Sequence, residues 1–209
     1  MKRFEASTGI KCAVLVLPDM TESESGGDSM MAAVLDVLPH GRPGDDRPQH
    51  QKEPLAYALD IDEFYIYELQ LDDKDVDIAF GDRVDLTEFG RVTEVEFEDI
   101  PSGARSELDY AVEEIVEANE QRFVDFYNDA QPITLRLHQL NLLPGIGKKL
   151  RNTILDERKR KPFQSFEDLE ERVSGLHSPK ETLVERILEE LQDDDLKYRL
   201  FVRREEQSS

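Results

Sequence analysis

Tryptophan is absent from the 209 residues, and cysteine occurs once, as Cys12. A lone thiol excludes an internal disulfide and any metal centre built from cysteine. Histidine is scarce as well: His40, His50, His138 and His177 are scattered along the chain without the spacing of a zinc site. No run approaches the roughly 18–20 apolar residues that cross a bilayer. The short apolar stretch 12–17, behind Met1-Lys2-Arg3-Phe4, lacks a small-residue cleavage site, so no signal peptide is expected. Neither a phosphate-binding Walker loop nor a nucleophile elbow is present. Acidic pairs recur everywhere, so none of them marks a catalytic dyad. These absences point to a cytoplasmic binding protein that is not an enzyme, with no cofactor, no metal and no membrane partner.

Acid dominates what is there. Asp and Glu number 47 against 26 Lys and Arg, a net charge of −21. Runs such as Asp45-Asp46, Asp72-Asp73 and Asp193-Asp194-Asp195 spread that acid over the whole chain, and Arg outnumbers Lys. An acidic coat with few lysines suits a protein kept hydrated in concentrated salt, so a halophilic cytoplasm is expected; an acidic protein of an ordinary cell is the alternative. A naive reading of −21 is repulsion from phosphate. One window breaks the pattern. Between Gln131 and Ser165 stand eight cations, Arg136, Lys148, Lys149, Arg151, Arg158, Lys159, Arg160 and Lys161, against only Asp156 and Glu157.

Composition and periodicity divide the chain. Residues 1–29 end in a Ser-, Gly- and Glu-rich linker and read as an N-terminal extension. Residues 30–102 carry about five short strand patterns: 32–38, 55–59, 64–71, 80–86 and the alternating Arg91-Val92-Thr93-Glu94-Val95-Glu96-Phe97-Glu98. A small closed barrel, OB-like in type, would remove their exposed edges. Residues 103–130 form a connecting helix over 106–127, with Ser106 as its N-cap. Residues 131–192 are all helical, opening at Pro132-Ile133-Thr134. Residues 193–209 form a charged tail in which Lys197-Tyr198-Arg199-Leu200-Phe201-Val202 could pair as a strand. The fold class is therefore α+β, an OB-like barrel followed by an all-α unit.

The chemistry concentrates at Leu143-Pro144-Gly145-Ile146-Gly147-Lys148-Lys149. Leu137, Leu140 and Leu143 stripe one helix, Leu150, Ile154 and Leu155 the next. The glycines let the chain reverse without Cβ clashes and leave the N–H groups at the start of the second helix open. Such groups, with the helix dipole behind them, attract an anion. Ile146 plugs the turn into the core, and Lys148, Lys149 and Arg151 add charge. Thirty residues on, Val173-Ser174-Gly175-Leu176-His177-Ser178-Pro179-Lys180 repeats the pattern, with Gly175 matching Gly145, Leu176 matching Ile146, and His177 where Gly147 stands. The acidic flanks make this copy mainly structural, with Gly175 and Lys180 as its candidate contacts.

Leu143 to Lys149, with its flanking segments and degenerate repeat, resembles the tandem helix-hairpin-helix domain of nucleic-acid-handling proteins. In that family the glycine turns hold the sugar-phosphate backbone without reading sequence. The likeness extends to Leu38-Pro39-His40-Gly41-Arg42-Pro43, Glu53-Pro54-Leu55-Ala56, Arg122-Phe123-Val124-Asp125-Phe126-Tyr127-Asn128, Pro132 to His138 and Tyr198-Arg199-Leu200-Phe201. Together these resemble an archaeal family of no established activity that joins an OB-like domain to a tandem helix-hairpin-helix and is described as nucleic-acid binding. The resemblance covers about residues 31–202. It implies RNA in preference to DNA, and a translation or ribosome-maturation role with a ribosomal subunit as platform.

In the first unit, His40, Arg42 and Arg47 share a loop and could contact phosphate; salt bridges to Asp45 and Asp46 are the bland alternative. Tyr65 and Tyr67 alternate on one strand and either stack bases or fill the barrel. The rival functions are a protein-interaction adaptor docked on a basic partner such as a ribosomal protein, and a DNA-binding repair accessory. The basic island favours nucleic acid.

Overall fold

The computed structural model describes residues 29–42, 47–48, 51–72 and 77–203. The expected extension before Ser29, the Asp45-Asp46 pair, His50 and the last six residues lie outside them.

Five strands form one antiparallel sheet: β1 (Met31–Leu38), β2 (Leu55–Asp60), β3 (Ile66–Gln70), β4 (Arg83–Asp85) and β5 (Val92–Val95), in the order β4-β1-β2-β3-β5. Of the three inner strands, β1 and β2 are covered on both faces, which is why MAAVLDVL and LAYALD read as nearly continuous apolar runs. A register shift between Val34 and Asp36 marks a bulge in β1.

The sheet is not closed. β4 and β5 are its edges, three and four residues long, and carry Arg83, Asp85 and Glu94. Short charged strands blunt an edge without pairing it. Closure is replaced by layering. One face, with Ala33, Leu35, Tyr57, Leu59 and Ile66, packs onto a helix; the other, with Ala32, Val34, Ala56, Ala58 and Leu69, is covered by Leu71, Ile78, Leu86 and Phe89 from the connections around β4. Tyr67 packs half-buried on that second cluster, its hydroxyl pushed by burial up to about 12, so it fills the fold. Its ring lies 6.2 Å from that of Tyr65.

Five helices follow: α1 (Ser102–Ala118), α2 (Glu120–Asp129), α3 (Lys148–Arg160), α4 (Phe166–Arg172) and α5 (Pro179–Gln192). Ala104, Leu108, Ala111, Val112, Ile115 and Val116 put one face of α1 against the sheet and α5. The helix starts four residues before Ser106. Pro101 caps it, and the Ser106 hydroxyl donates back to the Ser102 carbonyl at 2.9 Å. It also breaks at Asn119, whose side-chain amide donates to the Ile115 carbonyl at 2.8 Å, and α2 begins at Glu120.

Two expected elements do not form. The segment after Pro132 is a small closed loop rather than a helix, and only a 3-10 turn, Gln139–Leu142, precedes the glycine turn. Nor do residues 197–202 pair as a strand. The N–H groups of Leu200, Phe201 and Val202 donate instead to the fully buried Glu190 carboxylate, at 2.7, 2.9 and 3.0 Å. Arg186 donates to the same carboxylate at 2.7 Å. One buried apolar cluster runs from Ala33 and Leu35 through α1 to Ile154, Ile187 and Val202, so sheet and helices share a core.

Candidate nucleic-acid interface

Leu143 and Ile146 are buried and Gly145 between them is exposed. The Ile146 N–H donates to the Leu143 carbonyl at 3.2 Å, and Gly145 sits at φ +75. Proline at the second position and a positive-φ glycine at the third is the type II turn pattern. The chain then reaches Gly147, which caps α3, and the Arg151 N–H donates to its carbonyl at 3.0 Å. Asn141 staples the turn. Its amide donates to the Ile146 carbonyl at 3.1 Å, and its oxygen accepts from the Arg151 guanidinium at 2.9 Å. Arg151 thus holds the turn in shape, and its remaining nitrogens donate to Asn152.

The two glycines differ in what they do. Gly145 meets a conformational need. Gly147 lies at φ −77 and ψ 178, extended backbone open to any residue, and a Cβ there would meet nothing within 4 Å. Strain at Gly147 is therefore not the reason for glycine. What a side chain would occupy is the space in front of the first turn of α3, where no side chain among the described residues caps the N–H groups. Lys148 and Lys149 are exposed beside it, with no ion pair among the described residues.

The second turn repeats the first. The Leu176 N–H donates to the Val173 carbonyl at 3.0 Å, Gly175 lies at φ +94, and Val173 and Leu176 are buried. Beyond that point the copies diverge. Ser178 adopts the left-handed conformation, Pro179 has no N–H, and the Glu170 carboxylate accepts the Ser178 N–H. Lys180 is bound to Glu113 at 2.8 Å and Glu117 at 3.3 Å. The Pro179 carbonyl accepts from the buried Tyr127 hydroxyl at 3.0 Å, tying this turn to α2.

The rest of the basic island divides by what each cation touches. Arg158 donates to the Tyr127 and Ala130 carbonyls, both at 3.0 Å, and so closes the end of α2. Lys159 and Arg160 pair along their own helix with Asp156 and Glu157. Arg136 and Lys161 are exposed, with no ion pair among the described residues. His138 is buried and its Nδ1 accepts the Leu140 N–H at 3.2 Å; burial, then Arg158 and Arg151, hold its pKa below the ordinary imidazole value.

A second basic feature lies on the sheet. A cleft of about 500 Å³ is lined by Arg42, Arg47, Arg91, Glu68, Gln70 and Thr93, among others. Two guanidinium nitrogens of Arg42 donate to the two Glu68 oxygens at 2.7 Å, and the Tyr57 hydroxyl donates to the same carboxylate at 3.0 Å. Burial works to raise the Glu68 carboxyl, but the bonds from Arg42 and Tyr57 outweigh it and hold it below its usual value. His40 is exposed and does not line the cleft. Arg91, which does, escapes notice in the sequence because only the β3–β5 pairing brings it beside residues 42 and 68. Among the described residues no cluster of His, Cys, Asp and Glu could hold a metal ion, and no helix is long and apolar enough to cross a membrane.

Comparison with known proteins gives relatives but no activity. A family model described as a protein of unknown function, DUF655, matches residues 28–203. An uncharacterised protein of Methanocaldococcus jannaschii, MJ0038, is 41% identical over 179 residues, spanning 82% of this chain and 79% of that protein. The crystal structure of Af1531 from Archaeoglobus fulgidus, from the same family, superposes with a TM-score of 0.76 at 38% identity, covering 83% of this chain and 99% of that one.

Proposed function

The chain belongs to the DUF655 family, and from the geometry of its glycine turn we propose that it is a non-catalytic nucleic-acid-binding protein that grips the phosphate backbone at the start of α3. The turn and its repeat are then a tandem helix-hairpin-helix, the first copy active and the second structural. Gly147 carries the reading. Neither backbone conformation nor packing asks for glycine there, and what its missing side chain leaves open is an uncapped helix start beside two lysines without an ion pair among the described residues. Free N–H groups at the positive end of a helix dipole are what a phosphate oxygen needs.

The sheet cleft, with Arg42, Arg47 and Arg91, is a second contact for the same polyanion, and His40 borders it in sequence. Both sites take backbone rather than base edges, so the substrate is bound without strong sequence preference. RNA is the preferred ligand, in a cytoplasm of concentrated salt, with a ribosomal subunit as the platform.

The experiment compares RNA affinity of Gly147→Val with that of the double variant Lys148→Gln/Lys149→Gln in dilute and molar KCl, with circular dichroism and melting as controls. A Cβ at Gly147 meets nothing within 4 Å and its backbone is extended, so Gly147→Val is expected to stay folded. It is expected to lose binding at both salts. The lysine variant is expected to lose binding mainly in dilute salt, where counterion release contributes roughly 0.9 log unit of salt slope per neutralised duplex phosphate. Normal binding by Gly147→Val, with the lysine variant failing in molar KCl, overturns the assignment.

A further inference from the structure

The loop that leads into the glycine turn holds Leu135 fully in solvent, at 107% relative exposure. Single exposed leucines are common on proteins. This one differs because the backbone on both sides of it is tied down. A bridge between Pro132 and His138 closes the loop. The Ile133 and Thr134 N–H groups both donate to the Leu137 carbonyl, at 2.9 and 3.0 Å. The Thr134 hydroxyl oxygen accepts from Leu137 at 3.0 Å and Arg136 at 3.3 Å. Gln131 and Gln139 bond each other twice at the base, at 3.0 and 2.5 Å. Six bonds therefore fix the residues on either side of Leu135, while Ile133 and Leu137 are half-buried as anchors. Arg136 stands next to it, exposed and without an ion pair among the described residues. From His138 the chain runs directly through Gln139–Leu142 into the turn, with His138, Leu140, Leu143 and Ile146 all buried.

We propose that Leu135 is a wedge that enters between two bases of the RNA whose backbone the turn holds, with Arg136 on the adjacent phosphate. The inference rests on the phosphate-grip reading and adds to it a contact with bases. An apolar side chain gains by leaving water for a base step, and it unstacks that step as it enters. The step it can open most cheaply is one already weakened by a bulge or a strand end, so the preferred RNA is an irregular helix rather than a perfect duplex. Arg136 beside the apolar tip, without an ion pair among the described residues, calls for an anion, and the phosphate backbone that the turn holds supplies one next to a base step.

The test uses the full chain and an RNA hairpin with 2-aminopurine flanking a one-nucleotide bulge, whose fluorescence rises on unstacking. Wild type is expected to bind with a fluorescence increase. Leu135→Ser is expected to keep the wild-type melting temperature, to lose the increase and to bind about tenfold more weakly. Gly147→Val is expected to lose binding itself. Wild-type binding without a fluorescence change overturns the wedge and leaves the grip standing, as does unchanged affinity of Leu135→Ser; in the latter case the tip is left to a protein partner. Absence of wild-type binding to bulged, single-stranded and duplex RNA alike overturns the grip and the wedge together.

Discussion

Glu170 Oε1 accepts the backbone N–H of Ser178 at 2.8 Å, so the entrance to α5 is filled by a carboxylate of the chain itself. At the equivalent entrance to α3 no side chain does this. The two turns are thus alike in backbone as far as the buried Ile146 and Leu176 and opposite in electrostatics beyond: one presents donors and lysines, the other an acid and a lysine already shared between Glu113 and Glu117.

That contrast can be reversed by mutation. Glu170→Ala frees the Ser178 N–H and removes a charge that repels phosphate. The lost hydrogen bond is expected to lower stability by about 1 kcal/mol, a few degrees of melting temperature. RNA affinity in dilute salt is expected to rise, and sulfate to protect the variant against heat more than it protects wild type. Unchanged affinity and unchanged sulfate protection would show that the second turn lies away from the ligand.

The buried Glu190 carboxylate is expected to be the most sensitive polar group in the helical half. It accepts from Arg186 and from three consecutive N–H groups of residues 200–202. Glu190→Gln replaces one acceptor oxygen by a donor facing other donors and takes from Arg186 its buried charge partner, leaving it only the half-exposed Glu189. Breaking a buried pair in this way costs about 3–5 kcal/mol, or roughly 6–20 °C of melting temperature for a chain this size. Limited proteolysis should cut first between residues 196 and 203, where Phe201 is released from Phe123 and Phe126. A variant that melts within about 2–3 °C of wild type would contradict this.

His138 makes stability depend on pH. Its pKa is depressed in the folded chain from the ordinary 6.5, by burial first and then by Arg158 and Arg151. The unfolded state therefore binds the proton more readily. The contribution is fully present above about 6.5 and is lost as pH falls from there toward the folded value. Protonation also ends the bond that Nδ1 accepts from Leu140. His138→Asn keeps a side-chain acceptor at this cap and removes the titration, so its melting temperature should fall less than that of wild type between pH 7 and 5. Parallel profiles for the two would rule the effect out.

Salt should stabilise the fold. The Debye length is about 10 Å at 0.1 M and about 3 Å at 1 M, so molar KCl screens most of the repulsion in a chain of net charge −21. A rise in melting temperature from dilute to molar KCl is expected, larger than that produced by an equal osmolality of sucrose. Equal melting in both salts removes the basis for the halophilic reading.

Strands, turn and repeat were legible because each rests on local chemistry: apolar alternation, Pro-Gly in a type II turn, buried Ile146 and Leu176. The failures came where a side chain took over a backbone group's bond. Thr134 captures the N–H groups of Arg136 and Leu137, which a helix through Leu143 would need. Glu190 captures those of residues 200–202, so an apolar stretch with strand propensity has none left for a neighbouring strand. Arg158 looked like surface charge, yet its donors are spent on the end of α2. The closed barrel failed differently. One face of the sheet found α1, which follows β5 and buries six residues against the sheet and α5, and a face that is already covered gains little by curling further. Arg91 had no signal at all, since its place in the cleft depends on pairing across the sheet.

Sheet and helices share one buried apolar cluster. Leu35 on β1 and Ile146 in the glycine turn belong to one buried cluster, though more than a hundred positions separate them in sequence. Buried Leu143 and Ile146 seat the turn in that cluster, and Asn141 bonds both the Ile146 carbonyl and Arg151. Its N–H groups are therefore aimed before any ligand arrives, and the entropy of arranging them is spent in folding rather than drawn from the energy of binding.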